Sequence, residues 1–127
     1  MTDQRKSLVF VVDDEQLIST TLASILEDSG FVAMAFVDPL EALRAAEIRC
    51  PDVLLTDVVM PQLNGISLGI QFKAMYPDCH ILLFSGQTTT GDLLKDANSK
   101  GHHFEVLAKP IHPRNLLESI RTILAES

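Results

Sequence analysis

Five short apolar runs, Leu8–Val12, Phe31–Val37, Val53–Thr56, Ile81–Phe84 and Phe104–Ala108, alternate along the chain with stretches whose apolar residues recur at helical spacing. Regular alternation with short connections predicts an α/β domain of (βα)5 type, a doubly wound parallel five-stranded sheet with right-handed crossovers. Leu8–Val12 is apolar at every position, without the alternation of a strand that keeps one face in water. It is therefore predicted to lie inside the sheet, covered on both sides. The chain is long enough for this architecture: 127 residues, 46% hydrophobic and 21% charged, suit one globular domain. A domain of that size buries about two thirds of its unfolded surface.

The helical stretches carry their own boundaries. Leu17, Ile18, Thr21, Leu22, Ile25 and Leu26 form the inward stripe of a first helix, and Gly30 follows as a residue able to take positive φ at its end. Asp38-Pro39 with Glu41 supplies an N-cap, a proline at the first helical position and a first-turn carboxylate for a second helix. That helix runs to about Arg49, before Pro51. Met60-Pro61 and Asn64-Gly65 mark a loop, with Gly65 expected to need a positive φ, and a third helix covers Ile66–Met75 up to Tyr76-Pro77-Asp78. Its Leu68, Phe72 and Met75 on one side and Ile66 and Ile70 on another serve either the core or a partner. A fourth helix, Thr90–Ser99, turns Leu93, Leu94 and Ala97 inward, and a fifth, from Pro113 to about Ala125, does so with Leu116, Leu117, Ile120, Ile123 and Leu124.

Polar residues stand where the apolar runs stop: Asp13-Asp14, Asp57, Ser85 and Lys109. The carboxyl ends of parallel strands form one rim, so three carboxylates, a hydroxyl and an ammonium are directed at a single crevice. If the first and third strands are neighbours, about 4.8 Å apart, the Asp14 and Asp57 carboxylates stand some 5 Å from each other. At an effective dielectric near 20 such a pair repels by about 3 kcal/mol, which calls for a cation. Carboxylate oxygens with open positions suit Mg2+, which takes one or two carboxylates and a phosphate oxygen and keeps several waters. Lys109 and Ser85 then act as a point charge and a hydroxyl donor for phosphoryl oxygens, and Asp57, alone at its strand end, as the nucleophile.

A formal charge of -7 argues against a nucleic-acid backbone or an anionic membrane as direct partner and leaves basic partners open. No apolar stretch approaches the roughly 20 residues that span a bilayer, and the first six residues are too short and polar for a signal peptide, so a cytoplasmic protein is expected. Cys50 and Cys79 lack metal-ligand or redox spacing and are expected as free thiols. His80, His112 and the adjacent pair His102-His103 are expected as surface residues rather than zinc ligands.

Taken in order, Asp13-Asp14, Asp57 with Met60-Pro61 and Gly65, Ser85-Gly86 and Lys109-Pro110 resemble the receiver domain of bacterial two-component response regulators, the CheY-like superfamily, over essentially the whole chain. The resemblance implies a flavodoxin-like fold with strand order 2-1-3-4-5. It implies phosphorylation of Asp57 by the phosphohistidine of a sensor histidine kinase or by a phosphotransfer protein, in a phosphoacceptor domain rather than an enzyme. Carried over by position, Asp14 and Asp57 bind Mg2+ directly, Asp13 acts through water, and the backbone carbonyl of Val59 completes the protein ligands. Ser85 and Lys109 grip the phosphoryl group, and the Lys109-Pro110 bond is expected to be cis. The implied readout surface, for an unknown downstream protein or for a weak dimer, is helix four, strand five and helix five.

Two departures from the family pattern stand out. Val106 occupies the position of the usual switch aromatic, and Phe104, two residues earlier on the same face, is expected to take over part of that role. Val59 and Gln87 occupy the places that position or exclude the hydrolytic water, so Val59 is expected to alter the lifetime of the phosphate. The chain is read as a single receiver domain over 1–127 without an output domain, whether stand-alone, a relay, or part of a larger protein. Other readings are weaker. A flavin carrier needs a hydroxyl- and glycine-rich phosphate loop where Asp13-Asp14-Glu15 stands, and an aspartyl phosphatase needs an acid where Val59 stands. A phosphorylation-independent interaction module is the remaining alternative, although no acid and no lysine of the set is lost.

Overall fold

The computed structural model describes residues 6–86 and 90–126. Its elements follow in the order β1 (Leu8–Val12), α1 (Gln16–Asp28), β2 (Val32–Phe36), α2 (Pro39–Ile48), β3 (Val53–Asp57), α3 (Gly65–Met75), β4 (His80–Ser85), α4 (Thr90–Ser99), β5 (Glu105–Ala108) and α5 (Pro113–Ala125). The five strands form one parallel sheet in the order β2-β1-β3-β4-β5, the flavodoxin-like arrangement. Every residue of β1 is at most 1% exposed, which is what an apolar run without alternation requires. The edge strands β2 and β5 are only partly covered.

Successive side chains leave a strand on opposite faces, so each strand feeds two cores. Leu8, Phe10 and Val12 join Leu54, Phe72 and Leu83 on the side of α2 to α4, with Phe10 in ring contact with Phe36 and Phe72. Val9 and Val11 join Leu26, Leu55, Phe84, Leu116 and Ile120 on the side of α1 and α5.

The helix boundaries follow local chemistry. The Asp38 side chain accepts from the Leu40 amide at 2.9 Å with Pro39 at the first turn, and Asn64 Oδ1 accepts from the Ser67 amide at 2.8 Å. His112 Nδ1 does the same for the Arg114 amide at 3.2 Å, a capping role its sequence position did not announce. Gly30 takes φ +96° just past α1, as expected.

Three expectations, on Leu17, Leu93 and Gly65, are corrected. Leu17 is 79% exposed rather than inward and Thr21 is exposed too, because α1 meets the sheet through Ser19, Leu22, Ala23 and Leu26, with Ile18 and Ile25 packed alongside. Leu93 and Met75 are exposed as well. In α3, Ile66, Leu68 and Phe72 are buried and Ile70 packs on the same core, so its broad apolar surface mostly serves the interior. Gly65 has no positive φ; the described glycines that do are Gly30 and Gly101. Cys50 and Cys79 are free thiols, and burial, together with the nearby Cys50, pushes the Cys79 thiol up to about 12. Gln87 lies outside the described residues.

Candidate functional site

The sheet brings the acids together. β1 and β3 are neighbours with Val12 opposite Thr56, so the residues that follow, Asp13 and Asp57, emerge side by side at the rim. At the far side of the crevice Ser85 lies opposite Ala108, and the Lys109 amide donates to the Ser85 carbonyl at 3.0 Å. Ser85, Asp57 and Asp13 are all buried, and the Lys109-Pro110 bond is cis, as expected.

Lys109 links the two strands. Its Nζ donates to Asp57 Oδ2 at 3.1 Å and reaches Asp13 Oδ2 at 3.5 Å. Burial pulls the Lys109 ammonium down, but the hydrogen bond and charge of Asp57, with those of Asp13, outweigh it and hold the group above its ordinary value. Asp13 has no exposure, and its Oδ1 accepts from the Glu15 amide at 2.8 Å. Burial, reinforced by the Asp57 charge, pushes its carboxyl up against the opposing pull of the Glu15 amide and Lys109.

A crevice of about 220 Å3 opens here, lined by Asp14, Glu15, Asp57, Val59, Gly86 and Lys109. Asp14 and Asp57 face it, whereas Asp13 sits behind, tied to Lys109 and the chain. One carboxylate oxygen from each of Asp13, Asp14 and Asp57 lies within 4.8 Å of the others, and among the described residues no other group of three acidic, histidine or cysteine ligands converges in this way. An all-oxygen donor set with an open side fits a hard divalent cation such as Mg2+. His80, His102 and His103 line a separate cavity of about 400 Å3 without converging.

Two contributors were not singled out from the sequence. Phe84 places its ring 5.2 Å below the Lys109 ammonium, a cation–π contact that only the fold creates. Glu15 lines the crevice and its amide holds Asp13; its place in the acidic run Asp13-Asp14-Glu15 was the available signal. Gly65, which the sequence did mark, serves the site by close approach rather than by a positive φ: it donates its amide to the Val58 carbonyl at 2.8 Å and lies against the backbone of Asp57.

Val59 is 45% exposed at the crevice wall, and its amide stands 3.4 Å from Asp57 Oδ1. Phe104 shares the face of Val106, as expected, but lies at the other end of the strand from the site. Ala108 is the residue opposite Ser85 and Phe104 is four positions below it, about 13 Å at strand rise. The Phe104 ring fills the space over Gly69, 3.5 Å from where a β-carbon would stand, and it is not in reach of Ser85. A larger cavity of about 530 Å3, lined by Leu17, Ile18, Pro110 and Ile111 among others, borders Lys109; its walls are mainly apolar, and the acids gather in the smaller crevice instead.

The response regulator receiver domain model matches residues 9–121. The chain is 31% identical over 120 residues to the transcriptional regulatory protein CreB of Escherichia coli, covering 94% of this chain and 52% of that protein. It is 33% identical over 122 residues to the alkaline phosphatase synthesis transcriptional regulatory protein PhoP of Bacillus subtilis, covering 94% and 49%. The chain thus spans about half the length of the curated relatives it matches. Among solved structures, the chemotaxis protein CheY4 of Vibrio cholerae superposes with a TM-score of 0.83 at 26% identity, covering 94% of this chain and 99% of that one. A response regulator receiver domain protein of Clostridium thermocellum gives 0.84 at 27% identity, covering 94% and 95%. A family match that spans residues 9–121, most of the sequence, identifies this chain as a member of the response regulator receiver domain family.

Proposed function

We propose that Asp57 accepts a phosphoryl group from the phosphohistidine of a sensor histidine kinase or of a phosphotransfer protein, and that the resulting acyl phosphate changes the affinity of the domain for a downstream protein. The observation that carries this reading is the contact of Lys109 with Asp57 at 3.1 Å, at the edge of a crevice that Asp14, Glu15 and Asp57 also line. An ammonium raised by its acidic neighbours stays charged, which is what an incoming phosphoryl group needs.

In the transfer, a carboxylate oxygen of Asp57 forms the new O–P bond as the donor's N–P bond breaks, and the imidazole leaves with the electron pair. Lys109 follows the transferred oxygens with its charge, and the Ser85 hydroxyl donates to them. Asp14, Asp57 and the Val59 carbonyl would hold Mg2+, with Asp13 acting through water. The bound ion would supply charge neutralisation across the phosphoryl oxygens. Asp13 holds Lys109 in place. The new group adds about two negative charges, and α4, β5 and α5 form the proposed readout surface, with Lys109 between β5 and α5.

Intact-mass spectrometry after incubation with acetyl phosphate tests the reading. A gain of one phosphate, about 80 Da, is expected only with Mg2+ present and is abolished by Asp57→Ala. No gain, under conditions where a control receiver is modified, favours the phosphorylation-independent interaction module.

A further inference from the structure

Among the described residues, one edge of the sheet lacks the usual protection. β2 is its outermost strand, and its five residues pair one-to-one with β1, without a bulge. The run Phe31–Val37 contains no charged residue and no proline, the devices that ordinarily keep an edge strand from pairing with another chain. Met34, Ala35 and Val37 are exposed there, Met34 at 41%.

The direction of its backbone groups follows from the ladder. The Val32 amide donates to Ser7 and the Phe36 carbonyl accepts from Asp13, so Val32, Met34 and Phe36 turn their polar groups toward β1. In a parallel strand the intervening residues turn theirs the other way. Ala33 and Ala35 thus direct their N–H and C=O groups to the open edge, and their methyl side chains do little to screen them.

We propose that β2 pairs with β2 of a second copy of this chain, antiparallel, about a two-fold axis at Met34. Ala33 of one copy then lies opposite Ala35 of the other, each pair exchanging two hydrogen bonds, so that every outward donor meets an acceptor. Met34 lies opposite Met34 on the α2 side of the sheet in a non-hydrogen-bonded pair. Such pairs have Cα atoms about 4.5 Å apart, which covers both exposed side chains. The seam itself carries no charge. Two five-residue strands, about 17 Å long, bury less than the ~1,200 Å2 of stable complexes, so the dimer is weak and concentration-dependent. Each copy carries a formal charge of -7, so added salt strengthens the association by screening the long-range repulsion. The proposal is independent of phosphorylation at Asp57.

Sedimentation velocity of the reduced full chain, up to about 1 mM, is expected to show a mass rising from 14.0 kDa toward twice that value, more steeply at high salt. Met34→Lys sets like charges opposite each other and Ala35→Pro removes an outward N–H without touching the β1 ladder. Each is expected to weaken association at least about tenfold while the circular dichroism spectrum is kept. In a Cys50→Ser background, Met34→Cys is expected to form an intermolecular disulfide under mild oxidation much faster than Ile48→Cys, which is more exposed but lies off the strand. A chain that remains monomeric at the highest concentration overturns the proposal and leaves the edge at most to strands of other proteins. Association that survives both strand substitutions also overturns it and assigns the contact to another face.

Discussion

Gly65, at the start of α3, lies so close to Asp57 that a β-carbon there would collide with the Asp57 carbonyl oxygen and stand 2.8 Å from its carbonyl carbon. The loop between β3 and α3 thus folds back onto the residue proposed to be phosphorylated. Its closing contact, the Gly65 amide on the Val58 carbonyl, needs the bare backbone. Gly65→Ala obliges either the loop or the end of β3 to move. A loss of about 1 to 3 kcal/mol in urea denaturation is expected, in the range of overpacked interiors. Because the displaced atoms belong to Asp57, the rate of phosphorylation by acetyl phosphate falls as well. A variant with unchanged stability and rate contradicts the steric role.

Asp13 illustrates a conflict between stability and function. Burial holds its carboxyl above the ordinary 3.8, so the folded chain binds this proton more tightly than the unfolded chain does. The contribution of this group to stability is therefore fully present below 3.8 and is lost as pH rises through the folded value. At neutral pH without divalent ions, Asp13→Asn is expected to stabilise the fold by about 1 kcal/mol, by removing one of the facing charges while keeping an acceptor for the Glu15 amide. The gain shrinks as the pH is lowered toward that ordinary value, and it comes with weaker Mg2+ binding. Denaturation curves at several pH values in the presence of a chelator decide it; destabilisation at neutral pH goes against the sign argued here.

The legibility of the fold was uneven for physical reasons. Apolar runs such as Leu8–Val12 and Val53–Thr56 are continuous because both faces of a central parallel strand are dry, so both runs correspond to strands. Caps and breakers likewise act locally, and Asp38-Pro39 and Gly30 are found as expected. Leu17 misled because helical spacing cannot say whether the first turn extends past the sheet it packs on. The acids and Lys109 were legible because strand ends share a rim, whereas the Phe84 contact with Lys109 and the Gly65 collision arise between elements and leave no local trace.

Phe104 gives a prediction that separates packing from switching. Its ring fills the space that Gly69 leaves open, beside Ile81 and in parallel contact with His102, far from Ser85. Phe104→Ala empties that space and is expected to cost about 2 kcal/mol, less than a fully buried phenylalanine because the residue is only partly buried. Phosphorylation by acetyl phosphate is expected to proceed at the original rate. A variant of unchanged stability but altered phosphorylation restores the switching role.

Val59 is expected to set how long the proposed phosphate lasts. Its side chain forms part of the crevice wall, and it offers no donor or acceptor with which to orient an attacking water, while its backbone amide faces Asp57 Oδ1. Val59→Asn supplies a side-chain amide at the same place without altering the acids, Ser85 or Lys109. Hydrolysis of the acyl phosphate is then expected to accelerate about tenfold, which corresponds to roughly 1.4 kcal/mol of barrier and is modest for one positioned polar group. The measurement is the decay of the phosphorylated mass after the donor is removed, with Val59→Leu as an apolar control expected to leave the lifetime within about twofold. Equal lifetimes for all three proteins mean that water reaches the phosphorus from another side of the crevice, where Gly86 and Glu15 form the wall.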